Sequence, residues 1–178
     1  MNEPWPEDIL DKARTVRAAV FDVDGVMTDG HLYYSENGSE AKAFHTRDGL
    51  GIKGLISQGV AVGVITARQS GIVARRMQEL GIEHFLQGCR DKRAGMVELT
   101  ERLALIPGQI AYMGDDLVDW PALKQAGLKC APADADAWIR QRVDVVTSAR
   151  GGRGAVREVC ELILSAKGRL DDWRSGFQ

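Results

Sequence analysis

The sequence contains few cysteines and has no long apolar run. Its three cysteines, Cys89, Cys130 and Cys160, are widely spaced and odd in number. This pattern argues against a disulfide framework or a zinc site and favours a reduced, cytoplasmic protein. Because no apolar run approaches the roughly 20 residues that a membrane-spanning helix needs, we expect no membrane partner. The segment 1–11 is acidic and contains two prolines, which is unlike a signal peptide.

Neither sign of charge is in large excess. The formal net charge is −2 at pH 7, which gives no general attraction to nucleic acid or to an anionic membrane. We therefore expect no nucleic-acid partner, and an anionic substrate must be held by a local cluster of positive groups. The length of 178 residues suits one domain with a hydrophobic core, and we expect residues 1–178 to form it.

Short apolar runs alternate along the chain with longer amphipathic segments. The pattern predicts strands at 17–21, 60–65, 84–86, 110–113, 128–131 and 143–146, and helices at 49–57, 71–80, 91–105, 117–126 and 154–167. This alternation predicts an α/β fold, a Rossmann-like parallel sheet with helices on both faces. Ligands of such sheets bind beyond the carboxyl ends of the strands.

Two segments depart from the alternation. Asn37-Gly38 separates two β-rich arms, 31–36 and 39–44, and therefore predicts a small β-hairpin inserted at about residues 30–44. The C-terminal tail, about residues 168–178, is charged but contains Trp173 and Phe177. We expect the tail either to be disordered or to dock onto a neighbouring subunit through these aromatic side chains.

Polar residues follow four of the predicted strands. In chain order they are Asp22 and Asp24, then Thr66, then Lys92, then Asp115, Asp116 and Asp119. Each alone has an ordinary explanation as a turn residue, a helix cap or a solvated charge. Together, at one edge of a sheet, they supply a nucleophile, a proton donor, a hydroxyl, a cation and metal-binding carboxylates. Phosphoryl transfer through an enzyme carboxylate requires these groups.

The same residues resemble the four signature motifs of the haloacid dehalogenase-like phosphatases, in the same order. The motifs are Asp22-x-Asp24-Gly25-Val26-x-Thr28, Thr66, Lys92 and Gly114-Asp115-Asp116-x-x-Asp119. Within that superfamily, the hairpin, the segment 42–49, Asp119-Trp120-Pro121 and the segment 151–158 resemble the 3-deoxy-D-manno-octulosonate 8-phosphate phosphatases. This resemblance runs from about residue 14 to about residue 170.

The resemblance implies a Mg²⁺-dependent phosphatase that works through an aspartyl phosphate. Asp22 would be the nucleophile and Asp24 the general acid and base, while Thr66 and Lys92 would stabilise the phosphoryl oxygens. Mg²⁺ would be held by the carboxylates of Asp22 and Asp115 and by the backbone carbonyl of Asp24. Asp116 and Asp119 would orient the loop rather than bind the metal.

The family also implies a set of substrate-binding positions. They are Asp24, His45, Thr46, Arg47, Asp48, Gly49, Lys53, Arg68, Arg76 and Lys92. His45 and Lys53 depart from the asparagine and arginine expected there. The hairpin is too small to seal a pocket, so the resemblance implies a homotetramer in which neighbouring subunits complete the wall. It also implies a cytoplasmic step in supplying a sugar of bacterial lipopolysaccharide.

Other functions share some of these features, and the sequence separates them to different degrees. A phosphatase for a nine-carbon sugar acid 9-phosphate would share every motif and the hairpin, although the segment 151–158 and Asp119-Trp120-Pro121 favour the eight-carbon substrate. A signalling receiver domain would have a different order of acidic residues and lysine. A catalytically silent scaffold would usually lose the nucleophile or the general acid, and both are kept here.

The role of the segment Gly151–Gly154 is also open on the sequence, which allows either a plain loop or a clamp on the phosphate side.

Overall fold

Six parallel strands form the central sheet of the computed structural model, which describes residues 5–177. The strands are β1 (Ala18–Phe21), β4 (Ala61–Ile65), β5 (His84–Leu86), β6 (Ile110–Met113), β7 (Leu128–Ala131) and β8 (Val145–Val146). They lie in the order β5-β4-β1-β6-β7-β8. β1 and β6 are buried at every residue, because strands covered on both faces are apolar throughout.

Helices cover both faces of this sheet. They are α1 (Glu7–Thr15), α2 (Thr46–Ser57), α3 (Gly71–Leu80), α4 (Lys92–Arg102), α5 (Trp120–Leu123), α6 (Ala137–Arg140), α7 (Ala155–Ala166) and α8 (Leu170–Ser175). Buried residues of α1, α2, α3 and α7 share one core, and those of α4, α5 and α6 share the other. The Rossmann-like α/β fold predicted from the sequence is therefore confirmed.

The predicted hairpin is present, but its paired strands are short. β2 (Tyr33–Tyr34) and β3 (Glu40–Ala41) pair antiparallel across the turn. Gly38 has a φ of +81°, a left-handed conformation that glycine adopts without steric cost. The predicted arms, 31–36 and 39–44, are longer than the paired segments. A two-stranded ribbon with no sheet behind it is only marginally stable, which accounts for the short pairing.

Several boundaries differ from the sequence-based prediction. Helix α1 was not predicted, although Ile9, Leu10 and Ala13 share its buried face. Helix α6 was also missed. The predicted helix 117–126 is a 3₁₀ turn, Leu117–Asp119, followed by the single α-helical turn of α5. These elements are too short for their apolar periodicity to stand out in a sequence.

The C-terminal tail is ordered as far as Phe177, so the prediction of disorder is wrong for the described part. Trp173 of α8 is only 7% exposed. A side chain at Gly54 of α2 would collide with its ring, and the Arg157 guanidinium carbon lies 4.6 Å from the ring centre. The prediction that Trp173 docks onto a neighbouring subunit is therefore wrong, whereas for the exposed Phe177 it stays a prediction. Residues 1–4 and 178 of the predicted domain and tail lie outside the described residues.

The described residues bear on two further expectations. None of their helices is long and apolar enough to cross a membrane. Cys89, Cys130 and Cys160 are all free.

Candidate active site

The predicted chemical groups meet at the carboxyl edge of the sheet. Asp22 follows β1, Thr66 follows β4 and Asp115 follows β6. β1 lies between β4 and β6, so these three strand ends are adjacent. Lys92 is the first residue of α4, and the side chain of Asp91 caps that helix by accepting from the N–H groups of Arg93 and Ala94. The cap fixes where α4 begins and thereby places the lysine at this edge.

Three carboxylates face one another in the centre of the site. Asp22, Asp115 and Asp119 each offer an oxygen, and these oxygens all lie within 4.8 Å of one another. Burial, and then the negative charge of Asp119, raise the pKa of Asp22 to about 7 and that of Asp115 to about 8. Crowded, desolvated carboxylates of this kind are stabilised by a divalent cation. Mg²⁺ prefers oxygen ligands, so the donor set fits the predicted metal.

Lys92 lies inside this acidic cluster as a buried cation. Its side chain is 2% exposed, and its Nζ lies 2.9 Å from Oδ1 of Asp22 and 2.5 Å from Oδ1 of Asp119. Burial alone would lower the pKa of Lys92, but the attraction of the two carboxylates outweighs it and leaves the pKa raised. The ammonium is therefore charged at neutral pH, next to the predicted nucleophile.

Asp119 accepts hydrogen bonds from more groups of the cluster than its position in the sequence suggested. Its Oδ1 accepts from Lys92 and, at 2.8 Å, from the hydroxyl of Tyr112. Its Oδ2 accepts from the backbone N–H groups of Asp115 at 3.0 Å and Asp116 at 3.3 Å. Both oxygens are thus engaged by protein donors, which supports the predicted role of orienting the loop. The sequence analysis missed Tyr112 as a site residue because it lies inside an apolar strand, where the sequence pattern predicts a core side chain.

Asp116 serves the same loop from the surface. Its Oδ1 accepts from the N–H of Leu117 at 2.7 Å, at the start of the 3₁₀ turn. The carboxylate of Asp116 is not in the group that faces the metal position among the described residues.

The loop that carries Asp24 is packed by close backbone approaches. Gly25 has a φ of +89°, and a Cβ there would lie 2.0 Å from Oδ2 of Asp115. A Cβ at Gly151 would lie 1.9 Å from the carbonyl oxygen of Gly25. The N–H of Gly152 donates to the carbonyl of Val26 at 2.9 Å. The segment Gly151–Gly154 therefore packs directly against the loop that carries Asp24. Neither sequence-based interpretation of the segment, a plain loop or a clamp on the phosphate side, described this contact.

Lys42, at the end of the hairpin, is a site residue that the sequence analysis missed. Its Nζ lies 2.5 Å from Oδ1 of Asp24 and 3.3 Å from Oε1 of Glu40. Its side chain is 1% exposed. The one available signal was that Glu40 and Lys42 are two residues apart, which places them on the same side of an extended segment.

Two of the predicted substrate-binding arginines also lie near the site. Nε of Arg68 is 4.0 Å from Oδ2 of Asp24. The guanidinium of Arg76 lies against Gly49, where a Cβ would be 2.4 Å from Nη2. It also lies 5.8 Å from the ring centre of Phe44. Arg68 therefore approaches the carboxylate of Asp24, and Arg76 approaches the first turns of α2.

The remaining predicted positions lie at or near the start of α2. His45 caps this helix, accepting the N–H of Arg47 through its Nδ1 at 3.2 Å, while Thr46, Arg47 and Lys53 are exposed. Asp48 is buried instead and turns toward α7. It accepts from the N–H of Arg157 at 2.8 Å and of Gly154 at 3.3 Å. Its carboxylate therefore caps α7, and contact between Asp48 and a substrate remains only a sequence-based prediction.

Comparison with known proteins places this arrangement in a family. No protein-family model matches the chain. The curated 3-deoxy-D-manno-octulosonate 8-phosphate phosphatase of Escherichia coli (strain K12) is 46% identical over 169 residues, covering 95% of this chain and 90% of that protein. A crystal structure of the phosphatase of the same name from Yersinia pestis is 45% identical with a TM-score of 0.92, covering 93% of this chain and 89% of that one.

A third relative is described with ligands. The 3-deoxy-D-manno-octulosonate 8-phosphate phosphatase of Moraxella catarrhalis, solved in complex with a magnesium ion, a phosphate ion and KDO, is 41% identical with a TM-score of 0.95. It covers 98% of this chain and 100% of that one. The identities exceed 40% over nearly full length, and the predicted residues meet at the expected edge of the sheet. The chain belongs to the 3-deoxy-D-manno-octulosonate 8-phosphate phosphatases of the haloacid dehalogenase-like superfamily.

Proposed function

We propose that this protein hydrolyses 3-deoxy-D-manno-octulosonate 8-phosphate to the free sugar acid and phosphate, with Mg²⁺ as cofactor. The observation that carries this proposal is the cluster at the end of the sheet in which Asp22 lies beside Asp115 and contacts a buried Lys92. The names of relatives more than 40% identical to this chain supply the substrate. The Moraxella complex supports the cofactor and the class of product.

The first chemical step would form an aspartyl phosphate on Asp22. A carboxylate oxygen of Asp22 attacks phosphorus as the bond from phosphorus to the sugar oxygen breaks. Asp24 gives its proton to that departing oxygen, so that the free sugar acid leaves as an alcohol. A water molecule then attacks the phosphorus of the aspartyl phosphate, Asp24 takes up its proton, and phosphate is released with Asp22 restored.

The surrounding groups would stabilise the charge that moves during these steps. Lys92 holds its ammonium 2.9 Å from the attacking carboxylate, close enough to reach a phosphoryl oxygen bound there. Thr66, buried at the end of β4, would offer its hydroxyl to the same oxygens. Mg²⁺, when held by the carboxylates of Asp22 and Asp115 and the carbonyl of Asp24, would neutralise the phosphoryl charge that otherwise repels a nucleophile.

The sugar acid would be held by polar groups around the mouth of the site. They are His45, Thr46, Arg47, Gly49, Lys53, Arg68 and Arg76, and guanidinium groups suit the substrate carboxylate because they bind it in bidentate fashion. Arg47 and Lys53 are exposed in a single chain. In a homotetramer, a neighbouring subunit would cover this rim, and Arg47 and Lys53 would then contribute to the completed substrate pocket. We place the reaction in the cytoplasm.

Phosphate release from a panel of sugar phosphates tests the proposal. The panel contains the eight-carbon and nine-carbon sugar acid phosphates and hexose phosphates, each with Mg²⁺ and with chelator, and Asp22→Asn as the inactive control. We expect Mg²⁺-dependent release with strong preference for the eight-carbon substrate. Equal rates across the panel would keep the mechanism and reject the substrate. Release that Asp22→Asn leaves unchanged would reject the mechanism.

A further inference from the structure

The hairpin brings a charged side chain into the site that the proposed catalytic steps leave unused. Lys42 follows β3, and its ammonium lies between the carboxylates of Asp24 and Glu40, at 2.5 Å and 3.3 Å. Lysine is among the side chains that lose most rotamer freedom on ordering. A buried lysine on a short, otherwise exposed hairpin therefore indicates specific interactions at its charged end.

We infer that Lys42 is a positioning residue that orients the carboxylate of Asp24 toward the oxygen of the leaving group. The inference rests on the proposed function, because it assigns Lys42 to the proton-transfer step of that reaction. It gives the hairpin a task beyond forming part of the pocket wall.

The geometry at Asp24 supports this assignment. Asp24 lies in the tight turn Val23–Met27, with a φ of −74° and a ψ of 118° that depart from helical values. The last torsion of an aspartate side chain is broad, so the turn alone does not fix the carboxylate plane. A short charge-assisted hydrogen bond from Lys42 to Oδ1 does fix it. Proton transfer requires the acid within about 2.6–3.2 Å of the oxygen that receives the proton.

The lysine is itself held from its other side. Glu40, which contacts Lys42, also accepts from Nη2 of Arg68 at 3.1 Å. Nη2 of Arg68 in turn donates to the hydroxyl of Tyr34 at 2.9 Å, and Nε of Arg68 approaches Oδ2 of Asp24. Asp24, Lys42, Glu40 and Arg68 therefore form a closed ring of contacts. Because Arg68 follows β4 and Asp24 follows β1, this ring ties the hairpin to two strand ends.

The leaving group provides a readout that a purely structural role would not change. Departure of a sugar alkoxide needs a proton from the acid, whereas p-nitrophenolate leaves without one. We therefore compare wild type with Lys42→Met on the eight-carbon sugar acid phosphate and on p-nitrophenyl phosphate. We expect kcat/KM on the sugar phosphate to fall about 10–100-fold, a part of the 10²–10⁴-fold that general acid catalysis contributes. We expect kcat/KM on the aryl phosphate to fall by less than about threefold, because that ester needs no acid.

Two controls accompany this comparison. Lys12→Met removes the same charge from an exposed lysine that pairs with Asp144 at 2.6 Å, and it should leave both activities unchanged. The Mg²⁺ concentration for half-maximal activity should also be the same in Lys42→Met as in wild type. If Lys42→Met does not keep the wild-type fold by circular dichroism, Lys42→Gln retains a hydrogen-bond donor and replaces it.

A double-mutant cycle then tests whether Lys42 acts through Asp24. Residues that act as a unit lose activity non-additively. In the Asp24→Asn background we expect Lys42→Met to lower kcat on the sugar phosphate by less than about threefold further. Multiplication of the two separate losses, or equal loss on both substrates, would overturn the inference while leaving the proposed function intact. A wild-type protein without Mg²⁺-dependent phosphatase activity would overturn the proposed function and the inference together.

Discussion

Replacing Asp119 by asparagine should destabilise the protein more than any ordinary change of surface charge. The side chain of Asp119 is 0% exposed, and its two oxygens accept from Lys92, Tyr112 and two backbone N–H groups. Asparagine keeps the shape but presents an NH₂ group where one of these oxygens accepted. The NH₂ group therefore faces hydrogen-bond donors on one side, and the substitution removes one of the two negative charges that balance Lys92.

The size of the effect follows from these contacts. Removing one partner of a buried ion pair costs about 3–5 kcal/mol. The charge of Asp119 also raises the pKa values of Asp22 and Asp115, so its loss relieves repulsion that partly offsets this cost. We therefore expect a loss of about 3 kcal/mol, the lower end of that range. For a chain of this size, such a loss lowers Tm by about 6–12 °C.

Urea unfolding in the presence of EDTA measures this difference without stabilisation by bound metal. The matched control is Asp116→Asn, the same substitution three residues away at an exposed cap, where asparagine caps as well as aspartate. Its expected change is within about 0.5 kcal/mol. If the two variants lost equal stability, the view that Asp119 is the buried centre of this cluster would be refuted.

Three further substitutions test other contacts. Asp115→Asn should raise Tm in EDTA, because burial and neighbouring carboxylates disfavour the ionised side chain. It should also abolish the stabilisation by Mg²⁺ that we expect for the wild type, and a fall of Tm in EDTA would contradict this reasoning. Gly25→Ala should reduce activity at least about tenfold, because its Cβ would strike Asp115. Gly38→Ala, with a similar φ but open space around it, should retain wild-type activity, and equal loss in both would implicate backbone strain. Trp173→Ala should cost about 3–5 kcal/mol of unfolding free energy and Phe177→Ala less than about 1 kcal/mol, as urea unfolding would measure. Similar costs would contradict packing of Trp173 within its own chain.

The sequence by itself determined the fold class and the position of the main chemical groups. Buried strands of a parallel sheet are apolar throughout, so β4 and β6 could be recognised from composition alone. The carboxyl ends of parallel strands share one edge. Asp22, Thr66 and Asp115 could therefore be assigned to one site without knowing which strands are neighbours. The hairpin was recognisable because its Asn-Gly turn is a local signal.

The tertiary structure alone decided the strand order, the burial of Trp173 within its own chain and the contacts that hold the site residues in place. Lys92 meets Asp119 across 27 positions of sequence and Asp48 caps a helix 109 positions away. Lys42 reaches Asp24 across 18 positions. Whether a charged side chain is solvated or buried depends on what packs against it from distant segments, and local sequence patterns carry no information on that. The sequence therefore identified which groups could do the chemistry, and packing determined which partners hold them in place.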